Sequence, residues 1–154
     1  MQKYLDLLKT IPDPEIPVID IVELGIVRGV DVSEDGRVEV IITPTYSACP
    51  AMFNIEEDII KLFNSQGIPV KVTTQMFPVW TTEWLTDEAR EKLKNYGIVP
   101  PEKGHDENHL AVPIRCPRCN STNTKLISRF GSTLCKASYQ CNDCFEPFDY
   151  FKCH

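Results

Sequence analysis

The chain has 154 residues, a formal net charge of −6 and 42% hydrophobic residues. This length allows one ordinary domain or a small domain with an appendage, and the hydrophobic content excludes a disordered chain. The sequence predicts no secretory leader and no membrane-spanning run of about 20 apolar residues, so we expect a cytoplasmic protein whose seven cysteines bind metal or carry thiol chemistry.

The first part of the chain predicts an α+β fold, a small α/β sandwich with the element order α-β-β-α-β-α. A helical pattern in QKYLDLLKTI precedes the proline-rich loop PDPEIPVIDIVELG. The runs IVRGVDV and RVEVIIT flank EDG and predict a β-hairpin. A helix over residues 50–66, a strand in PVKVTTQMF and a capped helix in TDEAREKLKNYG follow. We expect the helices to cover one face of a mixed sheet.

Two features of this predicted fold concern its surface. The helix over residues 50–66 has an apolar side that is expected to face the sheet, and this side consists mostly of Met52, Phe53, Ile55, Ile59, Ile60, Leu62 and Phe63. Trp80 and Trp84 in WTTEW either expose aromatic rings for docking or cover the core, and the pattern does not distinguish the two.

A change of composition marks a second module. The segment IVPPEKGHDENHLAVP is rich in proline, glycine and polar residues, which indicates a linker. After it, cysteines appear and acidic residues become sparse. We therefore predict a first domain over residues 1–98, a linker over 99–113 and a second module over 114–154.

The second module contains two C-x2-C pairs. CPRC and CNDC supply Cys116, Cys119, Cys141 and Cys144, with 21 residues between the pairs. Each pair can direct two thiolates at one ion, and four thiolates complete the closed tetrahedral shell of a structural zinc site. A module of about 40 residues cannot bury enough core to fold alone, so a metal would supply the missing stability. We predict a zinc-ribbon-like module, with iron in a rubredoxin-like site as the alternative.

The charge distribution argues against nucleic acid as a partner. Residues 1–110 contain 10 basic and 19 acidic side chains, whereas residues 111–154 contain 6 and 3. An acidic body repels phosphate, and four thiolates with one Zn²⁺ would reduce the charge of the second module to about +1. We therefore expect Phe130, Tyr139 and Phe145 to fill the core of the ribbon, with stacking on bases as the alternative.

The remaining cysteines and the histidines have weaker patterns. Cys135 is interpreted as a buried ribbon cysteine or a spare thiol near the metal. Cys153 and His154 form a candidate ligand pair, although terminal residues are usually mobile. His105 and His109 have the i,i+4 spacing of metal ligands on a helix. Because glycine and proline surround them, solvated linker residues are favoured.

Cys49 lies far from the other cysteines, directly before a proline. Proline favours the first helical position, so Cys49 is expected at or next to the N-cap, where free N–H groups and the helix dipole favour an anion. A thiol there should ionise easily and act as a nucleophile or soft-metal ligand, and the alternative is a small buried hydrophobe. Thr43, Thr45, Tyr46 and Ser47 offer hydroxyls that could orient it. No histidine lies nearby in sequence, so a thiolate that holds or passes a ligand is favoured over one that turns over substrate.

Several segments resemble a known family. DPEIPVIDIVELGIVRGV and VIITPTYSACPAM resemble the iron–sulfur assembly factor family related to SufT. PVWTTEWLTDEAREKLKNYGIVPP, CPRC, FGSTLCKASYQC and CFEPFDYFKCH are similar to its PaaD subgroup, the D components of phenylacetyl-CoA epoxidase systems. In that family a D-P-E loop and a Thr…Cys-Pro segment form the characteristic surface. The resemblance therefore implies cluster-handling roles for Asp13, Glu15, Thr43, Thr45 and Cys49.

The resemblance also implies a function, namely a non-catalytic accessory role in aerobic phenylacetate catabolism. The expected task is to help assemble or insert the [2Fe–2S] cluster of the epoxidase reductase, a component that the resemblance implies also carries flavin. The expected partners are that reductase and other iron–sulfur assembly proteins, and two Cys49 thiolates of a homodimer could share one transient cluster. Asp13 and Glu15 would supply oxygen ligands or partner contacts, or simply cap their loop. The alternatives are a structural subunit of the oxygenase complex, a thiol-dependent enzyme and a zinc-ribbon nucleic-acid binder.

Overall fold

The computed structural model describes residues 1–101 and 113–151. The chain divides into two compact units, Met1–Thr86 and Asp87–His154. The predictions for His105, His109, Cys153 and His154 concern positions outside the described residues. Within the described ranges, no helix is both long enough and apolar enough to span a membrane.

The first unit is built on a three-stranded sheet. Its helices and strands are α1 (Gln2–Leu8), β1 (Val27–Val32), β2 (Val38–Ile42), α2 (Ala51–Ser65) and β3 (Val70–Thr74). β1 and β2 pair antiparallel and form the predicted hairpin, and β3 pairs parallel with β2 on its other side. Parallel neighbours require a crossover, which α2 provides, so α2 begins at the end of the sheet where β2 stops. The predicted α+β class is confirmed.

Helix α2 buries one side against the core of the first unit. Its buried residues follow a four-residue spacing and are Ala51, Ile55, Ile59 and Phe63. Met52, Ile60 and Leu62 are half-buried at the margin of this side. The prediction that Phe53 faces the sheet is wrong. Phe53 precedes the buried Ile55 by two residues, which is a rotation of about 200° around the helix axis, so its ring faces solvent.

The WTTEW segment covers the core, which decides a question that the sequence left open. Trp80 is fully buried, and its Nε1 donates a hydrogen bond of 3.0 Å to the carbonyl oxygen of Leu24. Trp84, at the end of a 3-10 turn over Thr82–Trp84, is half-buried, and the guanidinium carbon of Arg28 lies 3.5 Å from its ring centroid. Both rings therefore hold the segment after β3 against the loop that enters β1.

Gly25 should be intolerant of a side chain, because this loop passes very close to Trp84. Its φ is +78°, and an added Cβ would lie 2.8 Å from Trp84 Cβ and 2.9 Å from Trp84 O. We expect Gly25→Ala to lower the free energy of unfolding by about 3 kcal/mol, since left-handed strain and overpacking combine. Gly67→Ala is the matched control, with φ +69° and no atom within 4 Å of the added Cβ, and should cost only about 1 kcal/mol. Urea unfolding of both variants checks this, and equal losses would contradict the steric argument.

The second unit contains the cysteine pairs and a four-stranded sheet. Its elements are α3 (Asp87–Asn95), β4 (Ile98–Val99), β5 (Thr124–Ser128), β6 (Lys136–Cys141) and β7 (Pro147–Phe151). β6 pairs antiparallel with β5 and β7, and β4 pairs parallel with β7. The sequence placed a boundary after residue 98, whereas the structure groups α3 and β4 with the ribbon. The physical reason is that β4 has its hydrogen-bonding partner in β7.

Candidate metal centre and thiol site

Four cysteines of the second unit converge on one point. Their Sγ atoms all lie within 4.8 Å of one another. Cys116 Sγ lies 3.6 Å from Cys144 Sγ, and Cys119 Sγ lies 3.5 Å from Cys141 Sγ. Sulfurs placed tetrahedrally about 2.3 Å from a zinc ion are about 3.8 Å apart. The sequence-predicted ligands are therefore brought together at a spacing that fits one four-coordinate ion.

Each cysteine pair lies in a tight turn that ends with a left-handed residue. Asn120 and Phe145, which directly follow the second cysteine of each pair, have φ values of 60° and 64°. In the first turn the N–H of Asn120 donates to the carbonyl of Cys116, and the N–H of Arg118 points at Cys116 Sγ. This feature was not predicted from the sequence. Asparagine tolerates the left-handed region and so gave a signal at position 120, whereas phenylalanine does not.

Polar contacts hold the two turns together. The side-chain amide of Asn123 donates to Asp143 Oδ1 at 2.9 Å, and Ser121 Oγ donates to the same carboxylate. The N–H of Asn142 donates to the carbonyl of Asn123 at 2.8 Å. These contacts fix one pair of sulfurs relative to the other, which favours a rigid, closed metal site over an open one.

The thiols of this group differ in acidity. The backbone N–H of Cys144 is the main cause that lowers the pKa of Cys141 to about 7, because it donates to the thiolate. The N–H of Ser121 also lowers the pKa of Cys119, but burial and hydrogen bonds with the other thiols outweigh it and raise the value to about 12. Metal binding must therefore displace protons from this group.

The ribbon aromatics are only partly as predicted. Tyr139 is half-buried and stacks on Phe148 with ring centroids 5.9 Å apart. Phe130 and Phe145 are exposed, so the expectation that they fill the ribbon core is wrong. The reason is their location in loops rather than on the inner face of a strand. Cys135 is buried, as one of its two interpretations proposed, with its Sγ 3.0 Å from the Thr133 hydroxyl.

Cys49 lies at the start of α2, in the segment that leaves the end of β2. Its carbonyl accepts a hydrogen bond from the N–H of Met52 at 3.2 Å, and its own N–H donates to the carbonyl of Tyr46 at 3.1 Å. The thiol is half-buried and accepts a hydrogen bond from the N–H of Ala51. Cys49 therefore occupies the expected place beside the first turn of the helix.

The D-P-E loop lies within electrostatic reach of this thiol. Asp13 is buried, and its Oδ1 accepts hydrogen bonds from the N–H groups of Glu15 at 2.9 Å and Ile16 at 2.8 Å. Asp13 therefore caps the loop, as one of the alternatives for this residue proposed. The carboxylates of Glu15 and Asp13 also interact electrostatically with Cys49, so the fold brings together residues separated by more than 30 positions.

The predicted easy ionisation of Cys49 is wrong. Burial is the main cause that raises the pKa of this thiol above its ordinary value, and the negative charges of Glu15 and Asp13 raise it further. The N–H of Ala51 and the hydroxyl of Tyr46 lower the pKa, but they do not compensate. The N–H groups at the helix start thus lower the pKa of Cys49 as expected, but burial of the thiol and the charges of the two carboxylates raise this pKa by more.

Thr43 and Thr45 are both buried in the segment before Cys49. The N–H of Thr43 donates to the carbonyl of Ile26 at 2.8 Å, which fixes its backbone beside β1. Among residues 1–101 and 113–151, the Thr43 hydroxyl has no hydrogen-bond partner. A buried hydroxyl without a hydrogen-bond partner lowers the stability of the fold. A bound ligand that forms a hydrogen bond with the Thr43 hydroxyl would remove this cost.

Glu15→Gln should lower the pKa of Cys49, because it removes a negative charge that opposes the thiolate. Below the pKa the alkylation rate follows the thiolate fraction, so we expect labelling near neutral pH to speed up roughly threefold to tenfold. Alkylation with peptide mapping measures this rate. Glu34→Gln, an exposed acid in the hairpin turn, is the control and should change nothing. An unchanged or slower rate in Glu15→Gln would contradict the assignment.

Comparisons with known proteins match both halves of the chain. Residues 2–69 match the model of the iron-sulfur cluster assembly protein family, and residues 100–152 match the model of the PaaD zinc beta ribbon domain. A protein of Escherichia coli K12, provisionally named as the D component of 1,2-phenylacetyl-CoA epoxidase, is 52% identical over 96% of this chain and 89% of its own length. The resemblance inferred from the sequence motifs is therefore confirmed.

Other relatives match a smaller share of the chain. An "Fe-S protein maturation auxiliary factor" of Porphyromonas gingivalis is 38% identical, over 56% of this chain and 84% of its own length. The crystal structure of a domain of unknown function, DUF59, from Bacillus anthracis has a TM-score of 0.56 at 28% identity, over 60% of this chain and 89% of that chain. About 60% of this chain therefore shares its fold with nearly the whole of that structure.

Proposed function

This chain belongs to the PaaD family, the family of phenylacetyl-CoA epoxidase D components, and on that premise we propose that it is a non-catalytic maturation factor of the epoxidase system. Its task is to help assemble or insert the iron–sulfur cluster of the reductase component. The match of residues 2–69 to the iron-sulfur cluster assembly protein family supports this proposal.

The proposal rests on the chemical environment of Cys49. A half-buried thiol lies beside two carboxylates, in the same segment as a buried hydroxyl that lacks a partner among the described residues. The cluster is a cargo here, and its iron accepts thiolate and oxygen ligands. Cys49 would supply the thiolate, Asp13 or Glu15 would supply oxygen or partner contacts, and Thr43 and Thr45 would line the site.

The raised pKa of Cys49 suits a transient cargo. A protonated thiol is a poor ligand, so the cluster must displace a proton to bind. The cost of that step weakens the complex, and a single thiolate per chain holds a cluster less firmly than four. No histidine lies among the described residues, so a thiolate–histidine pair for turnover is not found in that part of the chain.

The second unit has a different role in this proposal. Its four-cysteine site closes around one ion, which suits a structural zinc that stabilises the ribbon. Iron is the alternative, since both ions accept four thiolates. Metal analysis and absorption spectra of the purified protein distinguish the two, because a ferric tetrathiolate is coloured and a zinc site is colourless.

The remaining parts of the proposal concern setting and partners. The protein acts in the cytoplasm, with the reductase and other iron–sulfur assembly proteins, and without nucleic acid or membrane partners. The homodimer that the sequence predicted, in which two Cys49 thiolates share one cluster, stays a prediction, and the acidic side chains whose charge acts on Cys49 oppose it. A structural role in the oxygenase complex is the second candidate, because the relative from Escherichia coli is named as part of an epoxidase. Co-purification at fixed stoichiometry with the oxygenase would favour that candidate.

Anaerobic reconstitution with iron and sulfide tests the proposal. We expect the wild-type protein to acquire a cluster visible by absorption and Mössbauer spectroscopy and to transfer it to the cluster-free reductase. Cys49→Ser should lose both properties while keeping the metal of the ribbon. Cys135→Ser is the matched control, because it removes a buried thiol outside the site. Equal cluster loading of wild type and Cys49→Ser would refute the role of Cys49.

A further inference from the structure

In the first unit, four exposed apolar side chains belong to the segments at one end of the sheet, the same end at which Cys49 lies. Phe77 is 77% exposed, Phe53 is 68%, Val79 is 53% and Met76 is 41%. We call these four residues the Cys49 rim. Phenylalanine and methionine are enriched in the buried centres of protein interfaces, and exposed apolar groups that cluster mark interaction sites.

The topology places the rim and the thiol at the same end of the sheet. β2 and β3 run parallel, so the segment that leads to Cys49 and the loop that contains Phe77 leave the same end of the sheet. The N–H of Gln75 donates to the carbonyl of Ile42 at 2.8 Å, which fixes the start of that loop beside the start of the Cys49 segment. Phe53 lies four residues after Cys49 and thus about one helical turn away.

We propose that the Cys49 rim is the docking surface for a partner protein that presents apolar side chains surrounded by basic ones. The inference rests on the proposed function, in which this partner is the cluster-free protein that receives the cargo. Docking there would bring the partner's ligands to Cys49 and cover the cluster from solvent during transfer.

Charge complementarity selects this partner over a second copy of the chain. Residues 1–86 contain 6 basic and 13 acidic side chains. Glu15 acts electrostatically on Cys49, and Glu56 follows Phe53 by about one helical turn. A second copy placed on the same surface would bring these acids against themselves, whereas a basic partner would neutralise them.

Three of the six basic residues of the first unit are already held in ion pairs. Arg37 pairs with Asp35 at 3.2 Å, Lys61 with Glu57 at 3.2 Å and Lys71 with Glu39 at 2.9 Å. The pairs of Arg37 and Lys71 lie at the hairpin end of the sheet, opposite to Cys49. Arg28 lies over the ring of Trp84. The surface around the rim therefore keeps an acidic balance that attracts a basic protein.

The test measures binding of the cluster-free reductase component to wild-type protein and variants by calorimetry, at low and high ionic strength. We expect Phe77→Ser to weaken binding about tenfold. The phenylalanine ring is exposed in the free protein and would be buried against the partner in the complex, and serine removes that apolar contact area. Phe77→Lys should bind more weakly than Phe77→Glu, since a basic partner tolerates an added acid. Val32→Ser is the control, because Val32 is also exposed but lies at the hairpin end. Binding should weaken as salt increases.

Three outcomes of the binding measurement would each overturn the docking proposal. They are an absence of wild-type binding, equal affinity of Phe77→Ser and wild type, and stronger binding of Phe77→Lys than of Phe77→Glu. Sedimentation that shows a wild-type dimer dissociated by Phe77→Ser would also overturn it, because the occupant would be a second copy. Cluster transfer measured in the same samples separates the two proposals. Binding without transfer refutes the maturation function and supports the surface, whereas equal transfer by wild type and Phe77→Ser refutes the surface alone.

Discussion

Cys116→Ser should release the metal of the second unit and unfold its ribbon, while the first unit remains folded. Cys116 and Cys141 are themselves buried core residues of the ribbon, packed with Phe148, so loss of the metal also removes the centre of this core. Structural zinc sites contribute about 10–16 kcal/mol, more than a small ribbon gains from burial. Metal analysis should fall from about one ion per chain to none, and proteolysis should cleave the second unit.

The first unit should survive this change because its fold does not need the ribbon. The DUF59 structure is matched over 89% of its length by only 60% of this chain, so proteins of that size fold without a second module. Cys135→Ser is the control, since Cys135 is buried outside the four-sulfur group and its loss should leave the metal bound. A metal-free Cys116→Ser protein with an intact, protease-resistant ribbon would show that the metal is not structural.

Cys49→Ser should leave the epoxidase polypeptides present in the cell but the reductase without most of its [2Fe–2S] cluster. Serine has nearly the size of cysteine and can accept the hydrogen bond from the N–H of Ala51, but it removes the soft ligand that holds iron. We expect cluster occupancy of the reductase to fall roughly tenfold relative to wild type, as in a strain that lacks the protein. The flavin content should not change, because the flavin site does not depend on sulfur ligands.

The measurement is iron, sulfide and flavin per chain of reductase purified from three strains, which express wild type, Cys49→Ser or no protein. Cys135→Ser serves as a fourth strain and should give a fully loaded reductase. Thermal unfolding of Cys49→Ser must match wild type, so that a folding defect cannot account for the loss. A fully loaded reductase in the deletion strain would remove the maturation hypothesis and favour a structural role in the oxygenase complex.

Short-range features of the first unit were predictable because their causes are local. The hairpin follows from alternating β-branched residues around the glycine of EDG, and the structure pairs Val30 with Val40 and Val32 with Val38. Helix α2 follows from an apolar four-residue spacing and from Pro50 before its first turn. The cysteine pairs behave in the same way, since two residues between thiols are enough to define a tight metal-binding turn.

Exposure was less predictable, because it depends on which face a neighbouring element covers. Phe53 was assigned to the buried side of α2 and Phe145 to the ribbon core, yet both side chains are exposed. The sequence did not show whether Trp80 is exposed or buried. In the structure Trp80 is buried, and its indole N–H donates a hydrogen bond to the carbonyl of Leu24. Composition identifies such residues as apolar but does not show what lies against them.

The sequence by itself determined the α+β class, the position of Cys49 beside the first turn of a helix and the four-sulfur set, because backbone periodicity, proline and cysteine spacing act over a few residues. Only the tertiary structure decided the acidity of Cys49, since Glu15 and Asp13 reach this thiol through the fold and oppose the local effect of the helix N-terminus. It also decided that β4 belongs to the ribbon sheet and that the Cys49 rim faces solvent. Long-range electrostatics, strand pairing and burial depend on residues that are distant in the chain, and no local pattern encodes them.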